Sequence, residues 1–552
     1  MQESAISDCA SRDGVSWVGH HREGKVTAKR LRAITNSRLM LAVILLGSLA
    51  RLWGVDRPLD HRLANAWRSS DYTQIARNFH RESLNPFYPR IDWRGDTPGF
   101  VEMEFPLLPW LAALCDRAIG YNEDAIRLFA AAFSIGALLL FSRLARAMLP
   151  PVGATFAAAA FAFSPLLVKL GNAMQPEPVM IFFAVLFVLR LVHWQRRPTN
   201  VNLLIASACL AAASLAKPPC AIVGLVLLVV VIQSQGVRAF AKPFNYFAAL
   251  VAAIPVIAWV VWANRFWKLY GNSLGVSNES HWLTWDALWP PEFLIGNLRW
   301  ESLAVWTPLG WFLGVFALQD RSRGVQMAGL WYLAICLFYL IAGGTSGDDW
   351  ASYYHSASVP PACLLMGAGL SCILGIRSGD NRLFTSPARA RTFAISLSSG
   401  VIALLVTASF VAVYRRDHHE DLFHMRQCAL ELSRIIPADG RIVVRGGEKY
   451  DELGRPVAYN EPMMFAWMDR KGFNYARSDL SVDTLQDIAR RGGQYWIARA
   501  DELRRMARHA DVDNVFRRIS ACQCGDYCVF DLTCARLAAQ HTADRAQRSG
   551  SP

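Results

Sequence analysis

Glu102-Met103-Glu104-Phe105-Pro106-Leu107-Leu108-Pro109-Trp110-Leu111-Ala112-Ala113-Leu114 leads from an acidic stretch straight into an apolar segment that ends near residue 119. That segment, 106–119, has about 14 residues, short of the roughly 20 that an α-helix needs to cross a bilayer. Its reading decides the topology of everything that follows. As a full crossing it would put Arg143 and Arg146 outside and the acidic turn at 174–178 inside, against the charge rule. Read as a partial or re-entrant element, it makes Arg143/Arg146, Arg196/Arg197, Arg238/Lys242, Arg321/Arg323 and the run Arg377 to Arg391 cytoplasmic at successive loops.

The composition agrees with a membrane chain. Of 552 residues, 53% are hydrophobic and 18% charged, against about 25% charged in soluble proteins. Mean hydropathy is +0.21, and 19 Trp and 29 Phe accompany long uncharged stretches. This excludes disorder and makes the chain a polytopic membrane protein. The net charge of +13 does not argue for nucleic acid, because no basic cluster interleaves with aromatics and cytoplasmic loops account for the excess.

Working outward, residues 1–36 form a polar tail with Arg22, Lys25, Lys29, Arg30 and Arg32, expected in the cytoplasm. The run Leu39 to Val55 reads as an uncleaved first span. Further crossings are expected at 125–141, 152–170, 178–192, 201–216, 219–233, 245–262, 303–318, 326–342, 356–375 and 394–414. The expected fold is a polytopic α-helical membrane domain over 37–415 with about 11 to 13 transmembrane helices. The loop 56–105 then lies on the outer face, with 171–178, 264–302 and 343–355. The tryptophan-rich 264–302 loop (Trp267, Trp282, Trp285, Trp289, Trp300) reads as an interfacial belt, with an acceptor floor as the alternative.

After 415 charges become dense. Strands are expected at 440–445, 494–498 and 527–532, and helices at 421–436 and 482–491. The region 416–536 is therefore a soluble α/β domain on the outer face, followed by a disordered tail, 537–552. Seven cysteines in the tail and spans read as small buried hydrophobes. Cys428, Cys522, Cys524, Cys528 and Cys534 lie in the soluble domain, where an oxidising compartment favours disulfides over a metal knot.

The candidate chemistry lies in the outer loops. Asp71, in Arg68-Ser-Ser-Asp71-Tyr72-Thr-Gln-Ile-Ala-Arg77, is either a helix N-cap or a functional carboxylate. Glu102 and Glu104 stand at the hydrocarbon boundary, where an unpaired carboxylate is costly. Glu177 is bracketed by Pro176 and Pro178 at the start of a span, as in a plain turn or an acidic site. Lys217 ends an apolar helix as a lone cation, suited either to snorkelling or to a membrane-surface phosphate.

These stretches resemble the GT-C membrane glycosyltransferases, in the superfamily that joins protein O-mannosyltransferases with the lipid A aminoarabinose transferase. The likeness runs from about residue 39 to 375. Asp71-Tyr72-Thr-Gln-Ile-Ala76 is similar to the D-E-x-x-Y-A helix of that family, with Tyr72 for the second acid, and Glu104-Phe105-Pro106 to its E-K-P element, with Phe105 for the lysine. Met174-Gln-Pro-Glu177 is similar to its M-P-D turn, Ala216-Lys217-Pro218-Pro219 to its K-P-P turn, and Tyr354 to Pro361 to its late Y-x6-P stretch.

The resemblance implies an integral membrane glycosyltransferase that moves a sugar from a polyprenyl-phosphate-sugar donor to a glycan, lipid or protein acceptor at the outer face, with inversion. It implies a bacterial inner-membrane protein with a periplasmic C-terminal domain. In this reading Asp71 and Glu104 are catalytic. Lys217, Tyr354 and His355 bind the donor phosphate, and Glu102 and Glu177 hold the acceptor or a metal. A divalent cation, Mg2+ or Mn2+, on Asp71 and Glu104 is left open. The competing reading is a transporter or flippase without chemistry, which calls for ionisable residues in mid-span.

Overall fold

The computed structural model describes residues 37–56, 66–275, 291–341, 346–348, 351–376, 386–417, 420–450, 454, 459–506, 512–524 and 526–533. The expected cytoplasmic and C-terminal tails, Trp282, Trp285, Trp289, Cys9, Cys534 and the side chain of Cys522 lie outside them.

Helix α1 spans 37–52, and α2 (Ala66–Arg81) precedes the short α3 (Leu107–Ile119). At 13 residues, α3 reaches about 20 Å against a hydrocarbon layer of about 30 Å. The helices α4 (Ala125–Met148), α5 (Pro151–Ala162), α6 (Pro165–Lys169), α7 (Glu177–Arg196) and α8 (Asn200–Ala216) follow. After a 3-10 turn at Pro218–Val223 come α9 (Gly224–Gln235), α10 (Pro243–Tyr270) and α11 (Pro291–Trp300). The membrane domain closes with α12 (Pro308–Ala317), α13 (Arg323–Ile341), α14 (Val359–Ile373) and α15 (Pro387–Asp417). Proline opens α5, α6, α7, α10, α12 and α14, because its fixed φ suits the first turn and its missing N–H costs nothing there.

Among the described residues six helical stretches are long and apolar enough to cross a membrane, and the bent pair Ala351–Ala357 with Val359–Ile373 makes a seventh. Three shorter apolar helices, α5, α8 and α12, and helix 37–52 coincide with the other expected crossings. The protein is thus a polytopic helical membrane protein. Leu250, Ile254, Ile257 and Val261 leave an exposed apolar face on α10, as contact with lipid requires. Inside the bundle, α5 and α14 meet backbone to backbone. A Cβ on Gly153 would lie 2.4 Å from Gly367 O, and one on Gly367 would lie 2.4 Å from Gly153 O, an approach that only small residues allow.

The C-terminal part has α16 (Glu420–Ile435), β1 (Ile442–Arg445), α17 (Met463–Met468), β2 (Gly472–Tyr475), α18 (Val482–Arg490) and β3 (Tyr495–Arg499), then α19 (Ala500–Met506), α20 (Val512–Val515), β4 (Arg517–Cys524) and β5 (Tyr527–Asp531). The sheet order is β2-β1-β3-β5-β4. The first three strands are parallel and the last two antiparallel. Strands β2 and β4 are absent from the sequence-based expectation, since neither follows an apolar alternation. A disulfide joins Cys428 on α16 to Cys524 on β4, and Cys528 is also disulfide-bonded. Of the six described free cysteines, four are buried in the helical part.

The sheet does not stand apart from the helices. Its edge strand β2 continues into the loop after α2: Gly95 N–H donates to Gly472 O (2.7 Å), and Gly472 N–H donates to Asp92 O (3.0 Å). An ion pair between Arg491 and Asp96 (2.6 Å) clasps the same edge.

Candidate active site

Helix α2 carries the site. Arg68, Asp71, Tyr72 and Ile75 fall at i, i+3, i+4 and i+7, one face of a helix. That face is fully enclosed, with Asp71 0% and Tyr72 1% exposed. The N-cap reading of Asp71 is corrected by the structure. The helix begins at Ala66, so Asp71 lies in its second turn, where the backbone N–H groups are already paired and a carboxylate caps nothing.

Its partners come from elsewhere. Trp93 Nε1–H donates to Asp71 Oδ1 (2.9 Å), and Asn460 Nδ2–H donates to Asp71 Oδ2 (3.2 Å). Burial pushes the Asp71 carboxyl up to about 7, although the Trp93 bond, the Arg68 charge and the Asn460 bond all pull it down. The neighbouring Glu461 contributes to the rise, and its own carboxyl is raised by burial to about 7.

The other candidates gather below α2. Glu104 Oε2 lies 3.6 Å from Arg68 Nη1. Burial works against the Arg68 charge, but Glu104 and the neighbouring Tyr353, Tyr72 and Asp71 overcome it and hold the guanidinium firmly protonated. Glu177 opens α7 and Lys217 closes α8, with Lys217 N–H donating to Ala213 O. A carboxylate at a helix N-terminus and a cation at a C-terminus are both favoured by the peptide dipoles. The two side chains form a buried ion pair. Lys217 is therefore not the lone cation that its sequence context suggests.

Lys217 Nζ also sits 4.2 Å from the Tyr353 ring centroid and 5.2 Å from that of Tyr354. Phe105 N–H donates to Leu215 O (2.9 Å), which fixes Glu104 beside the end of α8. The outcome is one enclosed cluster of side chains: Arg68, Asp71, Tyr72, Glu104, Glu177, Lys217, Tyr353 and Tyr354. Within it Glu177 Oε2 has no hydrogen-bond partner among the described residues, and Arg68 Nη1 has only its 3.6 Å ion pair to Glu104. Buried polar atoms left so cost about 1–3 kcal/mol each, and a polar ligand removes that cost.

Two of the expected site residues are placed apart. Glu102 accepts from Ser273 Oγ (2.5 Å) and Asn264 Nδ2 (3.2 Å), tying the loop to the end of α10. His355 turns away from Tyr354. Its Nδ1 is 2.7 Å from Glu301 Oε1, its Nε2 is 3.0 Å from Ser346 O, and Ser358 and Tyr332 also donate to Glu301. This closed network braces α14 against a π-turn at Glu301–Val305 and offers no free donor to the cluster.

The carboxylates do not suit a divalent cation as they stand. Among the described residues no three His, Cys, Asp or Glu side chains come together. Glu177 is occupied by Lys217, Glu104 faces Arg68, and both Asp71 oxygens accept hydrogen bonds.

Arg68, Tyr353, Trp93 and Asn460 are the site residues missing from the sequence reading. Arg68 had a signal, since it stands one turn before Asp71. Trp93 and Asn460 had none.

The fold is that of the GT-C membrane glycosyltransferases, and the chain is a multi-span membrane protein. ArnT of Cupriavidus metallidurans in the apo state superposes with a TM-score of 0.60 at 13% identity, covering 92% of this chain and 99% of that one. The same enzyme bound to undecaprenyl phosphate gives 0.57 at 14% identity, with 90% and 98% covered. Mycobacterial arabinofuranosyltransferase AftD gives 0.52 at 13% identity, with 90% of this chain and 40% of that chain covered. At such identities the likeness establishes the fold. Residues 97–262 match the family described as dolichyl-phosphate-mannose-protein mannosyltransferase. No curated protein matches the chain.

Proposed function

We propose that this protein transfers a sugar from a polyprenyl-phosphate-sugar donor to an acceptor hydroxyl at the outer face of a bacterial inner membrane. The N-terminus is then cytoplasmic and the C-terminal domain periplasmic. The observation that carries this reading is the buried cluster in which the Asp71 carboxyl, raised to about 7, lies beside the Arg68 guanidinium, while Tyr353 neighbours both Arg68 and Lys217. The undecaprenyl phosphate bound to ArnT, which shares the fold, supports a lipid phosphate as the ligand.

In the reaction the acceptor oxygen attacks the anomeric carbon while the bond from that carbon to the phosphate oxygen breaks. The electron pair leaves with the polyprenyl phosphate, and the hydroxyl proton passes to Asp71. Arg68 and Lys217 neutralise the charge that grows on the leaving phosphate, in a site closed to water where such stabilisation is strongest. Glu177 holds Lys217 in place before the donor arrives, and Glu104 does the same for Arg68. Tyr354 and Tyr353 line the approach to Lys217. A base near pKa 7 works best near neutral pH, and a single displacement inverts the anomeric centre.

The ionisable groups cluster at one end of the helices, which suits surface chemistry over passage through mid-span. The test is turnover of a panel of polyprenyl-phosphate sugars by wild type, Asp71→Asn and Lys217→Ala at equal folded protein. Loss of transfer in both variants is expected; wild-type rates in either one overturn the role given to it.

A further inference from the structure

Behind Trp93 and Asn460, on the side away from Asp71, lies an open cleft of ≈ 260 Å³ between the loop after α2, the end of α10 and the sheet edge. We propose that this cleft is a binding site for an uncharged sugar unit of the acceptor. The inference rests on the glycosyltransferase reading and adds the chemical class of the acceptor to it.

The lining has the character that sugars require. Trp267 and Tyr459 are half-buried aromatic side chains of the lining, with rings suited to the apolar C–H faces of a pyranose. Strand β2 adds Asn474 to the same lining. Its Oδ1 and Nδ2 are both buried and have no hydrogen-bond partner among the described residues. An amide with one acceptor and one donor vacant is matched by neighbouring hydroxyls of a sugar, which donate and accept in turn.

Charge separates a sugar from an anionic ligand. Each charged side chain of the lining is already in an ion pair: Arg94 with Glu82, Arg491 with Asp96, Asp479 with Lys449, and Asp487 with Arg490. Among the described residues the unsatisfied hydrogen-bonding atoms of the lining are those of the neutral Asn474 amide, and none belongs to Arg94 or Arg491.

The position supplies the link to chemistry. The wall between cleft and cluster is made by Trp93 and Asn460, the two side chains that hydrogen-bond Asp71. A glycan seated in the cleft therefore touches the two side chains that hold Asp71.

The experiment uses the full-length protein in lipid nanodiscs, with methyl α-mannopyranoside, methyl β-galactopyranoside, maltose and cellobiose as probes. Binding is read by saturation-transfer NMR and titration calorimetry. At least one probe is expected to bind saturably, and Asn474→Ala and Trp267→Ala are each expected to weaken it about three- to tenfold. The two substitutions lie on different elements, and thermal midpoints matched to wild type exclude misfolding as the common cause.

Asp71→Asn is expected to retain sugar binding. No saturable binding by any probe, or wild-type affinity in both cleft variants, overturns the proposal. Sugar binding lost in the variants while the wild type consumes no lipid-linked donor leaves the cleft in place and sinks the glycosyltransferase reading instead.

Discussion

Asn460 donates a hydrogen bond to Asp71 across 389 residues of sequence, so the carboxylate of a helix in the membrane domain is completed by a side chain from the C-terminal domain. The same contact surface continues with Gln74 Nε2–H to Pro462 O (2.7 Å) and Arg77 to Ala466 O (3.2 Å). The C-terminal domain is in this sense part of the site and its roof.

The first prediction concerns pH. In the proposed mechanism Asp71 acts as a base only when ionised, so kcat/KM is expected to rise with pH through about 7. The Asn460 bond favours the ionised form and lowers that midpoint. Asn460→Ala therefore moves the rising limb of the kcat/KM profile to higher pH and lowers the rate several-fold at pH 7. An unmoved limb would show that Asn460 does not act through Asp71.

Stability follows from the same shifts, with an opposite sign to that of an ordinary salt-bridged acid. Asp71 and Glu461 have folded values near 7, against 3.8 and 4.5 as ordinary groups. Between those limits the folded chain binds more protons than the unfolded one. Stability contributed by the protonated acids is complete below about pH 4 and is lost as pH rises through about 7. Glu461→Gln, which cannot ionise, is expected to flatten the fall in Tm between pH 5 and pH 8, measured by scanning fluorimetry.

Lys217 and Glu177 should behave as a pair. Lys217→Met leaves a buried carboxylate without its cation, a change that costs about 3–5 kcal/mol in comparable pairs. The double variant Lys217→Met/Glu177→Gln is expected to regain most of the lost Tm without regaining transfer. Equal destabilisation in the single and double variants would remove the coupling.

The disulfide between Cys428 and Cys524 closes a loop with a sequence separation of 96. Its removal is expected to cost about 2–4 kcal/mol of C-terminal domain stability. In Cys428→Ser, limited proteolysis should cut within 420–531 at a lower temperature than in wild type, while the membrane helices stay intact.

The helix crossing at Gly153 and Gly367 gives a purely steric prediction. Gly367→Val places methyl groups where the Gly153 carbonyl lies 2.4 Å from a Cβ. The backbones of α5 and α14 must then part, and a loss of roughly 3 kcal/mol or more is expected, since overpacking alone costs about 1–3 kcal/mol. Gly367→Ala should cost less.

Much of the fold was legible because membrane insertion is a local matter. A run of apolar residues crosses lipid whatever its neighbours do, and the short 106–119 segment betrayed itself by length alone. The soluble strands 440–445, 494–498 and 527–532 were legible for a similar reason, since each is a compact β-branched or aromatic run. Strand β2 was not, because Gly472-Phe-Asn-Tyr475 reads as a turn until the loop at 92–95 pairs with it.

The sequence by itself determined where the long apolar helices lie and that Glu177 and Lys217 stand at helix ends. Only the tertiary structure decided what those charges do. It turned Lys217 toward Glu177, sent His355 to Glu301, and set Asn460 against Asp71. Hydropathy and helix caps depend on neighbours a turn away, whereas ionisation and pairing depend on burial among groups hundreds of residues distant, which packing alone brings together.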